Sequence, residues 1–254
     1  MIHRLLFISF LFLLFGCGSN IIENDFIVDG YRVQSILYAK NSVLKYVYKV
    51  NGNDKELWDE YEYNIDGKVS RINHYPSSEE LKAYSIYMYN EQGQIDKVDT
   101  YQQYTGDSPI LTHSVGYSYN SESVLAKEEH TSVTPELCFS ITFSYDNNKI
   151  NKKEFYFNED QTTSFVVFDY DDDKLIKEKS YDMDGNYFQT IEYSYAQNLL
   201  VYFVTYKEDP KQGLLRDETR YYDMNDNLIR VVQKDALLSS SSIPITMTWD
   251  YEYK

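Results

Sequence analysis

The chain has 254 residues, with 40 Asp or Glu against 24 Lys or Arg, which gives a formal net charge of −16. This charge repels phosphate backbones and anionic lipid surfaces, so nucleic acid is excluded as an expected partner. Tyrosine is abundant, with 27 residues, whereas the 2 cysteines are Cys17 and Cys138. A chain of this length can bury a large core as one all-β domain.

The first residues indicate export. Arg4 precedes an apolar run at 5–15, which Gly16 and Cys17 follow. The run is shorter than the roughly 20 residues of a membrane-spanning helix, and it is typical of a secretory signal. The segment LFGC at 14–17 resembles the bacterial lipobox, which implies that Cys17 is lipidated; an ordinary signal peptide with an incidental cysteine is the alternative.

We therefore predict a lipoprotein signal peptide at 1–16, a lipidated cysteine with a short tether at 17–30, and a single β-repeat domain at 31–254. The expected location is the bacterial envelope, held to a membrane by the N-terminal lipid. Ser19 and Asn20 lack the aspartate typical of retention in the inner membrane, so we expect the outer membrane. The sequence leaves open whether the protein faces the periplasm or the cell surface.

A four-residue pattern then recurs through the chain. It reads YEYN at 61–64, YMYN at 87–90, YSYN at 117–120, FSYD at 143–146, FDYD at 168–171, YSYA at 193–196 and YEYK at 251–254. The second aromatic residues of the first six copies lie 26, 30, 26, 25 and 25 residues apart, and a fixed period of this size indicates a repeat architecture.

Each repeat predicts a β-hairpin. The two aromatic residues flank one residue, so their side chains share one face of a strand. The residue two positions earlier extends that face and is usually apolar, with Asp59 and Ser85 as departures. A turn rich in Asn, Asp and Gly follows, such as 64–68 or 223–227, and an apolar residue then begins a second strand. Segment 182–186 is predicted as a looser connection between repeats.

Two strands in each of about eight repeats predict an all-β fold, an antiparallel up-and-down meander of about sixteen strands. A sheet of that size is expected to be strongly curled or closed and barrel-like, which also removes exposed edges. The pattern Y-x-Y-[DN] resembles the YD repeats of RHS-type bacterial surface proteins, and it is similar to uncharacterised lipoproteins with a porin-like β fold. The resemblance covers most of the chain from Tyr31. It implies encapsulation or surface display, and it supplies no catalytic residue.

The sequence predicts no catalytic site, no metal site and no cofactor. His74, His113 and His130 lie in different repeats without metal-ligand spacing, and the aspartate-rich turns lack the glycine and glutamate of a calcium loop. Cys138 adjoins an apolar strand and is predicted to be a buried small hydrophobe.

The aromatic residues of the repeats are therefore the candidate functional residues. They are predicted either to fill the core or to stack on a ligand from an exposed face. The set comprises Tyr61, Tyr63, Tyr87, Tyr89, Tyr117, Tyr119, Phe143, Tyr145, Phe168, Tyr170, Tyr193 and Tyr195.

We expect a non-enzymatic binding or structural module that meets a glycan or protein through aromatic rows or hairpin tips, although the sequence identifies no particular partner. Two alternatives remain open. One is a periplasmic carrier of apolar cargo in a curled-sheet cup, and the other is a carboxylate-based polysaccharide hydrolase.

Overall fold

The computed structural model describes residues 43–51, 53–75, 83–103, 108–134, 138–157, 162–207, 214–224, 226–235 and 245–253. Every regular element in these ranges is a β-strand, and within them no helix is long and apolar enough to cross a membrane. The predicted signal peptide, Cys17 and the tether lie outside the described residues, as do residues 31–42.

Sixteen strands follow one another along the chain. They are β1 (Leu44–Asn51), β2 (Asp54–Tyr63), β3 (Val69–His74), β4 (Ala83–Tyr89), β5 (Ile95–Gln102), β6 (Ile110–Tyr119), β7 (Leu125–Ser132), β8 (Phe139–Asp146), β9 (Lys149–Tyr156), β10 (Thr162–Asp171), β11 (Lys174–Asp182), β12 (Tyr187–Ala196), β13 (Leu199–Lys207), β14 (Leu214–Tyr222), β15 (Leu228–Asp235) and β16 (Ile245–Tyr253). Each pairs antiparallel with its sequence neighbours, and β1 pairs with β16 to close a barrel. The predicted meander of about sixteen strands is confirmed.

One end of the barrel, which we call the tip end, carries the turns from each even-numbered strand to the next odd-numbered strand. In the turn at 64–68, the Asn64 side chain accepts a hydrogen bond from the Lys68 backbone N–H at 2.9 Å, and Gly67 has a φ of 77°. Glycine suits this left-handed conformation because it has no Cβ. The same capped turn begins at Asn90, Asn120 and Asp223.

The connection at 182–186 differs from its prediction. Although it lies at the opposite end of the barrel, it is the same tight turn: Asp182 accepts from the backbone N–H of Asn186 at 2.8 Å, and Gly185 has a φ of 81°. The side-chain cap and the glycine determine this turn, whichever end of the barrel it occupies.

Each hairpin also contains a β-bulge beside the second aromatic residue. Tyr63 lies opposite Val69 while Glu62 lies opposite Arg71, so Ser70 is an extra residue. The same shift recurs in the six hairpins that follow. After Val69, the next inward residue is therefore three positions along the strand rather than two.

The second aromatic residues tie neighbouring hairpins together. In seven repeats, the hydroxyl group of this tyrosine donates to a carbonyl oxygen at the start of the outgoing strand of the preceding hairpin, at 2.5–3.0 Å. The donor–acceptor pairs are Tyr63–Leu44, Tyr89–Val69, Tyr119–Ile95, Tyr145–Leu125, Tyr195–Leu175, Tyr222–Leu200 and Tyr253–Leu228. Burial raises the pKa of the Tyr119 phenol, so this hydroxyl keeps its proton and remains a donor.

We expect Tyr119→Phe to lower the free energy of unfolding by about 1 kcal/mol, because it removes one hydrogen bond and leaves the carbonyl of Ile95 without this donor. Urea unfolding of the purified domain measures the difference. Tyr221→Phe is the matched control, since Tyr221 is 48% exposed and should lose little. Equal effects of the two substitutions would contradict a structural role for the hydroxyl.

The seam between β16 and β1 has the geometry of an eighth hairpin without its turn. Tyr253 lies opposite Leu44 and Glu252 lies opposite Tyr46, so Lys45 occupies the bulge. The hydrogen bonds of Tyr63 and Tyr253 continue the tyrosine series across the seam. The two terminal strands thus complete the last repeat and close the barrel.

Candidate functional site

The repeated aromatic residues point into the barrel. Five first aromatic residues are buried, with exposures from 0% to 8%: Tyr61, Tyr87, Tyr117, Phe168 and Tyr193. Phe143 and the second aromatic residues are half-buried and pack against two clusters of buried apolar residues, with Phe143 in contact with both: Tyr63, Tyr89 and Tyr119 pack on the first, and Tyr145, Tyr170 and Tyr195 on the second. None of these twelve described residues is exposed, so they form no exposed row, and they lie near the tip end of their strands.

A line of polar side chains crosses the interior on β2 to β5. The Asp59 Oδ1 atom lies 2.7 Å from Nδ1 of His74, whose Nε2 lies 3.1 Å from the Ser85 Oγ atom. The same Oγ lies 3.0 Å from Oγ1 of Thr100. Asp59 and Ser85 are the two departures from the apolar position of the repeat. Those departures were the available sequence signal for this line, whereas the register that joins them to His74 depends on the bulges.

The hydrogen bonds run from Asp59 through His74 to Ser85, as they do from the carboxylate through the histidine base to the nucleophile of a serine hydrolase. The environment of Ser85, however, differs from that of a catalytic serine. Asp59 is fully buried and Ser85 is 6% exposed. Thr100 also occupies the hydrogen-bonding capacity of the serine hydroxyl. A nucleophile needs an open position for the reacting carbon and donors for the developing oxyanion. We interpret the line as a hydrogen-bonded polar network enclosed in the barrel.

We expect that a fluorophosphonate probe leaves the native protein unlabelled, because the Ser85 hydroxyl is enclosed. Mass spectrometry of the treated protein measures the labelling, and Ser118, an exposed serine on β6, is the internal reference for background reaction. Stoichiometric labelling of Ser85 that is lost in His74→Ala would contradict this interpretation and establish a hydrolase.

A second polar group lies farther round the barrel on β6 and β7. His113 Nε2 lies 3.3 Å from His130 Nδ1, and His130 Nε2 lies 3.0 Å from Glu128 Oε2. The Phe139 ring stacks on His130 at 4.1 Å between centroids. The fold therefore unites two of the three histidines that the sequence places in separate repeats. Within the described ranges, no group of three or more His, Cys, Asp or Glu side chains is arranged to hold a metal ion.

A buried charged cluster occupies the other half of the barrel. Glu178 on β11 is 1% exposed and accepts a hydrogen bond from the Tyr193 hydroxyl at 2.6 Å. Lys153 on β9 is 4% exposed, with its Nζ 5.5 Å from the centroid of Phe168. Burial raises the pKa of Glu178 to about 7, against the opposing effects of the Lys153 charge and the tyrosine hydrogen bond.

We expect the stability of the protein to fall as the pH rises from about 4.5 to about 7, because native Glu178 holds its proton more tightly than the unfolded chain does. The loss from this group is about 3 kcal/mol and is complete above its native pKa. Glu178→Gln should flatten this part of the profile, whereas the outer-face variant Glu192→Gln should leave it unchanged. Urea unfolding at several pH values measures the stability of the unmodified protein and of both variants. If all three showed the same dependence on pH, Glu178 would not be the group responsible.

Cys138 is half-buried and has a local structural role. Its Sγ accepts a hydrogen bond from the Ser132 backbone N–H at 3.3 Å and lies 3.7 Å from the carbonyl oxygen of the same residue. These contacts fasten the start of β8 to the end of β7. Cys17 lies outside the described residues.

The outer face of the barrel carries ion pairs in mid-strand. They include Lys127–Glu129, Lys152–Glu154, Lys177–Glu192 and Lys179–Asp169, with nitrogen–oxygen distances of 2.5–2.8 Å. Aromatic rings stack beside them, as Phe165 and Tyr181 do at 4.9 Å between centroids. The face of Phe165 is also in contact with Lys152, whose Nζ lies 4.6 Å from the ring centroid. These outer rings therefore pack against their own neighbours.

No protein family and no curated protein matches the chain. Among solved structures it is similar to a porin-like protein from Bacteroides vulgatus, at 12% identity over 83% of this chain and 98% of that one, with a TM-score of 0.42. A porin-like protein from Bacteroides uniformis matches at 11% identity over 82% and 96%, with a TM-score of 0.39. The Photorhabdus luminescens Tc holotoxin pore matches at 10% identity over 77% of this chain and 10% of that chain, with a TM-score of 0.34. No residue role is carried across from them.

Proposed function

We propose that the protein is a lipid-anchored envelope protein, held through Cys17 in the outer membrane, and that its barrel is a non-enzymatic binding or structural module. The observation that carries the proposal is the filled interior. The repeated aromatic residues are buried, and the inward polar side chains are bonded to one another. A partner, whether glycan or protein, therefore meets the outer face or the hairpin tips.

The same observation disfavours the two alternatives. A carrier of apolar cargo needs an empty cup, yet inward residues of β2 and β11, such as Tyr61 and Leu175, are fully buried. A carboxylate-based hydrolase needs two acids converging on an accessible position. Glu178 and Glu218 are instead buried, at 1% and 2% exposure.

The outer face also favours a barrel that stands in water rather than one that spans the bilayer. Strands that cross a membrane present an uninterrupted apolar band of about ten residues to lipid. The ion pairs Lys152–Glu154 and Lys177–Glu192 lie within strands of this barrel, where such a band would run. In this proposal the lipid on Cys17 supplies the membrane attachment.

Expression of the full chain in a Gram-negative host tests the anchor. We expect incorporation of labelled palmitate, an acylated N-terminal peptide beginning at Cys17, and recovery of the protein with outer membranes. Cys17→Ser should abolish all three, whereas Cys138→Ser, the matched control, should change none. An unmodified protein released after ordinary signal cleavage would overturn the lipoprotein proposal.

A further inference from the structure

The tip end carries two apolar side chains that are fully exposed. Ile65 and Met224 are each 101% exposed, and each is the second residue of a capped five-residue turn. The equivalent residues of the other two such turns at this end are Glu91 and Ser121. Burying an exposed side chain of this type is favourable by about 1.5–3 kcal/mol. Two turns thus present apolar groups where their counterparts are polar.

These two turns flank the seam that closes the barrel. Ile65 lies in the β2–β3 turn and Met224 in the β14–β15 turn, with β16 and β1 between them. At a strand spacing of about 4.8 Å, the two turns are roughly 20 Å apart along the rim. Val43, which precedes β1 at the same end, is 47% exposed. We call this part of the rim, formed by Ile65, Met224 and Val43, the seam arc.

The chain from Cys17 enters the barrel at the seam arc. Leu44, the first residue of β1, lies 27 residues after Cys17, which spans at most about 95 Å of extended chain. Whatever conformation this segment adopts, the barrel stays within that distance of the lipid, which corresponds to an effective concentration of about 1 mM or more beside the surface. At that concentration, even a weak apolar contact determines which end of the barrel faces the surface.

We propose that the seam arc docks on the lipid surface that carries the acylated Cys17, so that the tip end faces the membrane and the longer connections face away from it. This inference rests on the lipid anchor proposed above and adds the orientation of the barrel. The side chains of Ile65 and Met224 enter the interface between headgroups and acyl chains, and the strands remain in water.

The charges of the rim specify the kind of lipid. Asp66 follows Ile65 directly and Asp226 lies two residues after Met224, while exposed Glu91, Glu122 and Asp173 occupy other turns. The lysines at this end, Lys68, Lys149 and Lys174, direct their ammonium groups to the turn carbonyls of Gly93, Asp172 and Gln197. Such a rim is repelled by anionic headgroups. The seam arc therefore docks on a zwitterionic surface, and its docking weakens as the anionic lipid fraction increases.

Spin labels on the lipidated full-length protein in zwitterionic vesicles test the orientation. Ile65→Cys, Met224→Cys and Met183→Cys are labelled one at a time in a Cys138→Ser background. Met183 is the matched control, because it is 62% exposed and lies in the same kind of turn at the opposite end. We expect collisions with oxygen, relative to a water-soluble nickel chelate, to be several-fold more frequent at 65 and 224 than at 183.

The docking proposal would be overturned if the labels at 65, 224 and 183 were equally exposed to water, or if the label at 183 were exposed to lipid. Mass analysis of Cys17 in the same samples separates the two proposals, because an unmodified Cys17 overturns the anchor itself. The double variant Ile65→Asp/Met224→Asp should release the arc without altering the fold, since both side chains are fully exposed. A spin label at Val43→Cys should collide with the nickel chelate several-fold more often in that variant than in the protein that keeps Ile65 and Met224.

Discussion

Tyr61→Ala should lower the free energy of unfolding by about 3–5 kcal/mol, the largest effect we expect from any single aromatic residue of the repeats. The side chain of Tyr61, on β2, is fully buried inside the barrel, among inward residues that include Leu44 and Ile72. Its removal leaves a cavity that rigidly paired strands cannot close. Chemical unfolding followed by circular dichroism measures the loss.

Tyr221→Ala is the control for this prediction. Tyr221 is a tyrosine on a strand of the same barrel, but its side chain is 48% exposed and points outwards. We expect a change within about 0.5 kcal/mol, as for other surface substitutions. A small effect at Tyr61 would mean that the interior is loosely packed, and it would revive the carrier hypothesis.

The second large effect concerns the one described repeat that replaces its aromatic core with charge. In β14, Arg220 occupies the position of the first aromatic residue and Glu218 the apolar position before it, with Nε of the arginine 2.9 Å from the carboxylate. Their side chains are 4% and 2% exposed. Arg220→Tyr alone should cost about 3–5 kcal/mol, because it removes the guanidinium that neutralises a buried carboxylate.

The double variant Glu218→Ile/Arg220→Tyr should recover this loss or exceed it, since a buried ion pair can often be replaced by packed apolar groups without cost. It restores the residue types that other repeats carry at these positions, as Ile191 and Tyr193 do in β12. Arg230→Ala is the control for charge removal, because the pair of Arg230 with Asp250 lies on the outer face and its arginine is 48% exposed. If the double variant were as unstable as Arg220→Tyr, the stability of the barrel would depend on the buried ion pair itself.

The repeated pattern was sufficient to predict the hairpins. Its period placed a strand end at, or one residue after, Tyr63, Tyr89 and each later copy, and the Asn, Asp and Gly residues marked the turns at 64–68 and 223–227. These features are local, because a turn and an alternating strand depend on residues that are close in sequence.

Which side chains face the barrel interior was less predictable in the strand that follows each turn. A strict alternation from Leu175 would turn Lys177 inwards, but the bulge at Ile176 places Lys177 outside, paired with Glu192, and Glu178 inside. The bulge depends on how two strands pair, so one strand's sequence does not reveal it. The bulge at Asn151 likewise places Lys153 inside the barrel.

Composition and local pattern were enough to predict an acidic chain, a period of about 25 residues and two strands in each repeat, since these features depend on residues that are close in sequence. The closure of the barrel became evident only in the folded structure, because it depends on pairing between β1 and β16 at opposite ends of the described chain. It also decided which side chains share the interior. Asp59, His74 and Ser85 meet because bulges and cross-strand register bring three strands into line, and register is a property of the assembled sheet.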